Sequence, residues 1–177
     1  MKLRTFFEVL SGRIQSAKDP VGYCRKLGAT IGEDCVLKAS MLGSEPWLIT
    51  IGNHVLLAEG VRLLTHDGAG WCLRTEQEKK RMDMWGEVVI GDNVYVGTNA
   101  IILPNVHITD HVIIGAGAVV TKDITESGVY VGVPAKQIKS FEEWEKDALL
   151  KAHNTYGMTE KERRDYFDSL LGRESKT

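Results

Sequence analysis

Between Ile90 and Thr125 a large aliphatic residue returns at every sixth position: Ile90, Val96, Ile102, Ile108, Ile114 and Val120. Four places after each stands a second apolar residue, small or β-branched: Val94, Ala100, Val106, Val112, Ala118 and Ile124. A period of six matches neither the 3.6-residue stripe of an amphipathic helix nor the simple alternation of a hairpin strand. It marks a repeat architecture. Each hexad predicts a short strand followed by a turn, because the β-branched residues favour extended backbone while the intervening Gly, Asp and Asn tolerate positive φ. Hexapeptide repeats of this kind build parallel β-helices, so the pattern predicts an all-β fold.

The same ladder begins earlier, at Ile31 and Leu37, loses register across Gly43 to Pro46, and resumes at Ile51, Leu57 and Leu63. The phase returns at Ile90, which leaves about 26 residues outside the repeat. That excursion, HDGAGWCLRTEQEKKRMDMWG, reads as a long functional loop. Its Trp71, Met84 and Trp85 call for a surface to cover, which in a prism-shaped protein is a neighbouring subunit. Upstream, Leu3, Phe6, Phe7, Leu10 and Ile14 predict an amphipathic helix over residues 2–18, ended by Pro20 and placed to cap the first coil. Downstream, Ser140 with Glu143 and Thr159 with Glu162 are capping-box starts of two helices. Their stripes, Phe141, Trp144, Ala148 and Leu149, then Tyr166, Phe167, Leu170 and Leu171, are expected to cover the far end of the coil. Residues 1–177 thus read as one domain: an N-terminal helix over 1–20, a β-helix over 28–139 interrupted by a loop at 66–86, and C-terminal helices over 140–177.

Composition narrows the partners. With 22 Lys and Arg against 24 Asp and Glu, the net charge is -2. No general basic field serves nucleic acid or an anionic membrane, so any anion site is local. The N-terminus lacks the apolar core of a signal peptide, and no run reaches the roughly 18 apolar residues of a membrane span. These features predict a cytoplasmic chain with neither a nucleic-acid partner nor membrane insertion. Cys24, Cys35 and Cys72 are odd in number and lack CxxC spacing, against a disulfide framework or structural zinc. Cys35 falls at a small inward place of a hexad; Cys72 lies in the loop.

Residues 28–139 resemble the hexapeptide-repeat acyltransferases, and the segments IGDNVYVG, IIGAGAVVTKD and VGVPAK are similar to the maltose, galactoside and xenobiotic O-acetyltransferase branch. The resemblance implies a left-handed coil closed by three hexads, whereas the general preference for right-handed crossovers points the other way. It also implies a homotrimer whose inter-subunit groove holds acetyl-CoA as co-substrate. Carried over by position, Ala116 between Gly115 and Gly117 offers main-chain contacts to the pantetheine arm, where small residues permit close approach. Thr98 lines the thioester end, and Thr121 with Lys122 matches a coenzyme-binding pair. Pro134 and Ala135 belong to the turn that begins at Gly132, and Lys136 and Lys139 supply charge for phosphate. No metal is implied.

The resemblance also places a catalytic histidine at the mouth of the loop, here His66, followed by Asp67. Acetyl transfer to a hydroxyl needs a base that is largely neutral yet able to accept a proton, which suits histidine. The other histidines, His54, His107, His111 and His153, fall in turns or in the C-terminal helical region. The second ring nitrogen of such a base must be held by a fixed acceptor. Glu45 lies one coil below His66 if the two-residue insertion at the SEP turn is looped out, and Asp67 is its rival. The expected reaction is direct transfer to a sugar or polysaccharide-precursor hydroxyl. The alternatives are an amino-sugar or xenobiotic acceptor, a γ-type carbonic anhydrase using His66, His107 and His111, or a β-helix without catalysis.

Overall fold

The computed structural model describes residues 18–38, 42–73 and 84–173. Apart from Lys18, the helix expected over residues 2–18 lies outside them. The chain groups into two compact units, Met1–Trp144 and Glu145–Thr177.

The first unit is a parallel β-helix with three sheet faces. One face stacks Thr30–Ile31, Ile49–Ile51, Val88–Ile90 and Val106–Ile108, and Ile124 extends it through a parallel bridge to Ile108. The second stacks Val36–Leu37, Leu56–Leu57, Tyr95–Val96, Val112–Ile114 and Gly128–Val131. The third stacks Arg62–Leu63, Ile101–Ile102 and Val119–Val120. Strand side chains alternate between faces, so one residue of each pair enters the column. These are the ladder residues: Leu57, Val96, Ile102 and Ile114 are fully buried, and Ile51, Leu63 and Ile90 nearly so. Each such side chain stabilises the column by about 1.5–3 kcal/mol relative to exposure. Cys35 packs against this core and its thiol donates to the Gly52 carbonyl at 3.2 Å.

The corners explain the polar half of the repeat. Asn93, Asn99, Asn105, His111 and Gly117, six residues apart, all turn with φ between 56° and 69°, a region that Asn and Gly enter most readily. One corner is also stitched by side chains. Asn53 N–H donates to Asp92 Oδ1 at 2.6 Å, and Asp92 N–H donates to Asp110 Oδ1 at 2.7 Å. A Cβ on Gly52 would stand 2.2 Å from Asp92 Oδ1, so the Ile-Gly-Asx sequence is a packing requirement.

Register departs from the 18-residue step in three places. Ile90 pairs with Ile108, but Ile31 pairs with Ile51, two residues further on. The extra residues sit in the turn carrying Ser44 and Glu45, tightened by a 3-10 segment at Pro46–Leu48. Leu63 pairs with Ile102, across the excursion. Gly86 N–H donates to the Thr65 carbonyl at 2.9 Å, closing the column beneath it. The excursion therefore runs from His66 to Trp85; the aliphatic count leaves about 26 residues outside the repeat because it does not mark Thr65 and Val88, which are buried members of the column. Finally, Ile108 pairs with Ile124 rather than with residue 126. Ile124 occupies the next coil's place, since the turn at Thr121–Asp123 is two residues short.

Pro20 opens a helix of its own. Asp19 caps Pro20–Lys26 by accepting from Gly22 N–H at 2.9 Å, and proline suits a first helical position whose N–H has no partner. At the other end, Lys136–Ser140 turns back antiparallel along Gly128–Val131. Ser140 and Glu143 form the reciprocal pair that starts the helix Phe141–Lys151, and the Phe141 ring meets His111 edge-on at 5.2 Å. In the second unit, Thr159 and Glu162 form the expected capping box of the helix Glu160–Leu170. No described helix is long and apolar enough to cross a membrane.

Candidate active site

The corner where the excursion leaves the column gathers a small polar network. Its centre is Glu45, only 7 % exposed, one coil away from His66. Glu45 Oε2 stands 3.1 Å from His66 Nδ1. The same oxygen accepts from the Ser44 hydroxyl at 2.9 Å and from the Thr65 hydroxyl at 2.5 Å. Thr65 is 1 % exposed, so its hydroxyl has little choice of partner. Burial pushes the Glu45 carboxyl up, but hydrogen bonds from Thr65, His66 and Ser44, with the charge His66 can carry, outweigh it and hold the group below its usual range.

An ionised carboxylate beside Nδ1 fixes the tautomer. A carboxylate only accepts, so Nδ1 carries a proton, and in the neutral imidazole Nε2 is the nitrogen with the free lone pair. Ser44 Oγ lies 3.0 Å from the same Nδ1. With its own hydrogen given to Glu45, it can only share the Nδ1 proton. Serine, histidine and glutamate thus meet here without forming a nucleophilic triad, in which the serine would bond to the nitrogen opposite the acid.

Asp67 does not contribute to this network. His66 and Asp67 are consecutive in a strand pair with Met84–Trp85, so their side chains point to opposite sides. The Asp67 carboxylate accepts from Ala69 N–H at 2.8 Å and starts the 3-10 segment Gly68–Leu73. The other histidines sit elsewhere: His107 Nε2 is 3.1 Å from Glu87, His54 Nε2 is 3.8 Å from Asp34, and His153 Nδ1 is 2.8 Å from the Tyr166 hydroxyl. His66, His107 and His111 lie on different parts of the column and form no cluster among the described residues.

A groove of about 910 Å³ opens from this corner along the Arg62–Leu63 strand of the third face. Lys38, Ser44, Glu59, Arg62, His66 and Asn99 are among its lining residues. Asn99 connects the groove to the positions expected to hold the coenzyme. Its neighbour Thr98 is exposed, and the Thr98 carbonyl accepts from Gly117 N–H at 2.8 Å, so Thr98 and Ala116 stand in adjacent coils at one corner. Thr121 and Lys122 are exposed at the opposite edge of the third face. The turn Gly132–Ala135, with a cis Val133–Pro134 bond and Pro134 exposed, is laid along the last strand of that face. Val119 N–H donates to the Gly132 carbonyl at 3.0 Å, and Ala135 N–H to the Val119 carbonyl at 2.8 Å. Lys136 is exposed and Lys139 half-buried on the returning strand.

Ser44, Thr65 and Trp85 are the members that sequence reasoning missed. The Trp85 ring lies 5.1 Å from that of His66 at a 49° tilt. Thr65 stands two places after Leu63, a polar place of the hexad, so the repeat gave no sign of its burial; once buried, its hydroxyl needs a partner.

Comparison with known proteins bears on the family and the fold. Residues 87–122 match the family described as "Bacterial transferase hexapeptide (six repeats)". Protein CapG of Staphylococcus aureus is 43 % identical over 145 residues, spanning 80 % of this chain and 83 % of that protein. Galactoside O-acetyltransferase of Escherichia coli K12 is 31 % identical over 132 residues, spanning 75 % of this chain and 64 % of that protein. Among solved structures, a galactoside acetyltransferase in complex with coenzyme A superimposes with a TM-score of 0.53 at 24 % identity, over 77 % of this chain and 84 % of that one. A hexapeptide-repeat acetyltransferase of Vibrio cholerae does so with a TM-score of 0.56 at 20 % identity, over 76 % and 93 %. These two likenesses are of fold. With a buried aliphatic ladder repeating every six residues and a relative this similar over most of both lengths, the chain belongs to the hexapeptide-repeat acyltransferase family.

Proposed function

We propose that this protein transfers an acetyl group from acetyl-CoA to a hydroxyl of a sugar or polysaccharide precursor. His66 Nε2 takes the hydroxyl proton as the oxygen attacks the thioester carbon, and the proton then passes to the departing thiolate. Glu45 keeps the proton of the resting imidazole on Nδ1 and stabilises the imidazolium formed in transit. Transfer is direct, since Ser44 is not wired to be activated as a nucleophile.

The observation that carries this reading is the network around His66: a buried, ionised carboxylate holding one ring nitrogen, with the other left for chemistry beside a groove. The relatives named galactoside O-acetyltransferase support the sugar hydroxyl as acceptor. A complex with acetyl-CoA in a fold neighbour supports the donor. In this reading the coil is left-handed, and the groove is completed by a second copy in a homotrimer. Thr98, Ala116, Thr121, Lys122, Pro134, Ala135, Lys136 and Lys139 receive the coenzyme.

The test is acetyl-CoA turnover, followed by release of free thiol, against a panel of pyranosides, amino sugars and drug-like alcohols. His66→Ala should lose about 10²- to 10⁴-fold in kcat, the usual contribution of a general base. Turnover retained within threefold would overturn the assignment. Acetyl appearing only on amines would move the reaction to N-acetylation.

A further inference from the structure

The groove and the Glu45 network account for one edge of the His66 ring. Its flank is covered by the indole of Trp85, which nothing in the transfer chemistry requires. Trp85 pairs directly with His66 across the antiparallel ladder that opens and closes the excursion. Residues facing each other in this way share one side, with Cβ atoms about 4.5–5.5 Å apart. The ring centroids are correspondingly 5.1 Å apart and tilted by 49°. Yet the indole is 46 % exposed, although tryptophan is among the side chains that gain most from burial.

We propose that Trp85 is the platform on which the acceptor's pyranose ring stacks while presenting its hydroxyl to His66 Nε2, a role that rests on the acetyl-transfer reading above. Three observations support it. Nδ1 is closed by Glu45 and Ser44, so an acceptor approaches the other edge of the imidazole. An indole face carries negative charge density and meets polarised C–H bonds favourably, and the apolar face of a pyranose supplies such bonds. The ring's equatorial hydroxyls point sideways from that stack, where the groove offers the exposed polar side chains of Ser44, Glu59 and Asn99. A flat face beside a polar groove suits a sugar better than a wholly apolar or a short acyclic acceptor.

The test uses the full-length protein with acetyl-CoA, the pyranoside turned over best in the acceptor panel, and glycerol as an acyclic control. In Trp85→Ala the KM for the pyranoside should rise about tenfold, the upper end of what an aromatic contact supplies beyond area burial. The kcat and the KM for acetyl-CoA should stay within twofold, and the glycerol KM should not move. Trp85→Phe, which keeps a flat face, should recover most of the loss. Trp85→Leu, which keeps apolar bulk without the face, should not, and it decides the matter if the alanine variant fails to fold. A fall in kcat with unchanged KM would show that the indole merely walls the imidazole. An equal rise for pyranoside and glycerol, or a change in oligomer size, would equally overturn the platform. If His66→Ala retains turnover, the acetyl-transfer reading fails whatever Trp85 does. If His66→Ala is inactive and the Trp85 variants leave the pyranoside KM unchanged, only the platform falls.

Discussion

Replacing Glu45 by glutamine removes a charge and almost nothing else. Glu45 Oε2 stands 3.1 Å from His66 Nδ1, and in the proposed reaction the imidazole becomes cationic against that oxygen as the acceptor attacks. Two unit charges about 4 Å apart attract by about 4 kcal/mol at an effective dielectric constant near 20. An amide oxygen in the same place recovers a neutral hydrogen bond, about 1 kcal/mol. The His66 side chain is 33 % exposed, which weakens the charge term further. A net loss of about 2–3 kcal/mol corresponds to roughly 30- to 150-fold in kcat, with acetyl-CoA binding unaffected because Glu45 lies away from the coenzyme positions. The assay is steady-state turnover of Glu45→Gln beside the parent protein. Turnover above half of the parent's would refute the proposed role. Folding stability supplies an independent readout. The folded carboxyl is held below its usual range, so its contribution is complete above the unfolded value of about 4.3 and is lost as pH falls through the lower folded value. The unfolding free energy of the parent minus that of Glu45→Gln should be flat near neutrality and decline in acid. A difference independent of pH from 7 to 3 would contradict an ionised Glu45.

Two further substitutions test the column. Gly97→Ala would bring a Cβ within 2.6 Å of the Ala116 nitrogen, forcing apart the coils that carry Thr98 and Ala116. A lowered melting temperature together with weaker acetyl-CoA binding by calorimetry is expected, and unchanged affinity would separate that corner from the coenzyme site. Ile102→Ala, at a fully buried position of the third face, should cost about 2–5 kcal/mol by denaturant unfolding. A cost below 1 kcal/mol would mean that the ladder is not a close-packed core.

The inward ladder was legible because its signal is redundant. Every aliphatic position assigned from Ile31 to Val120 is buried, and one misplaced residue could not have hidden a six-residue period. Departures from the period were harder to read. Ile124 keeps the phase in sequence but belongs to the following coil, since a turn two residues short has no hydrophobic signature. The gap in the aliphatic count is wider than the excursion because Thr65 and Val88 are column members that the count does not mark. Glu45 beside His66 followed from looping out two residues, which is what the register does. Ser44 and Thr65 joined them through contacts between residues about 20 apart in sequence, visible only once that register is fixed. Asp67 failed for a local reason, the alternation of side chains along a strand. Asp19-Pro20 carries a helix start that the sequence reading did not mark.

The hydrogen bond from Gly86 to Thr65 and the pairing of Leu63 with Ile102 have a bearing on how such an enzyme can diversify. The column closes on itself under the excursion, so its register does not depend on the length of the inserted segment. Lengthening a surface segment costs little, since closure entropy grows only with the logarithm of its size. In the proposed reaction, new acceptors can therefore be explored by rewriting the segment between the His66–Asp67 and Met84–Trp85 strands, while Glu45 and the Thr98–Ala116 corner stay on the column.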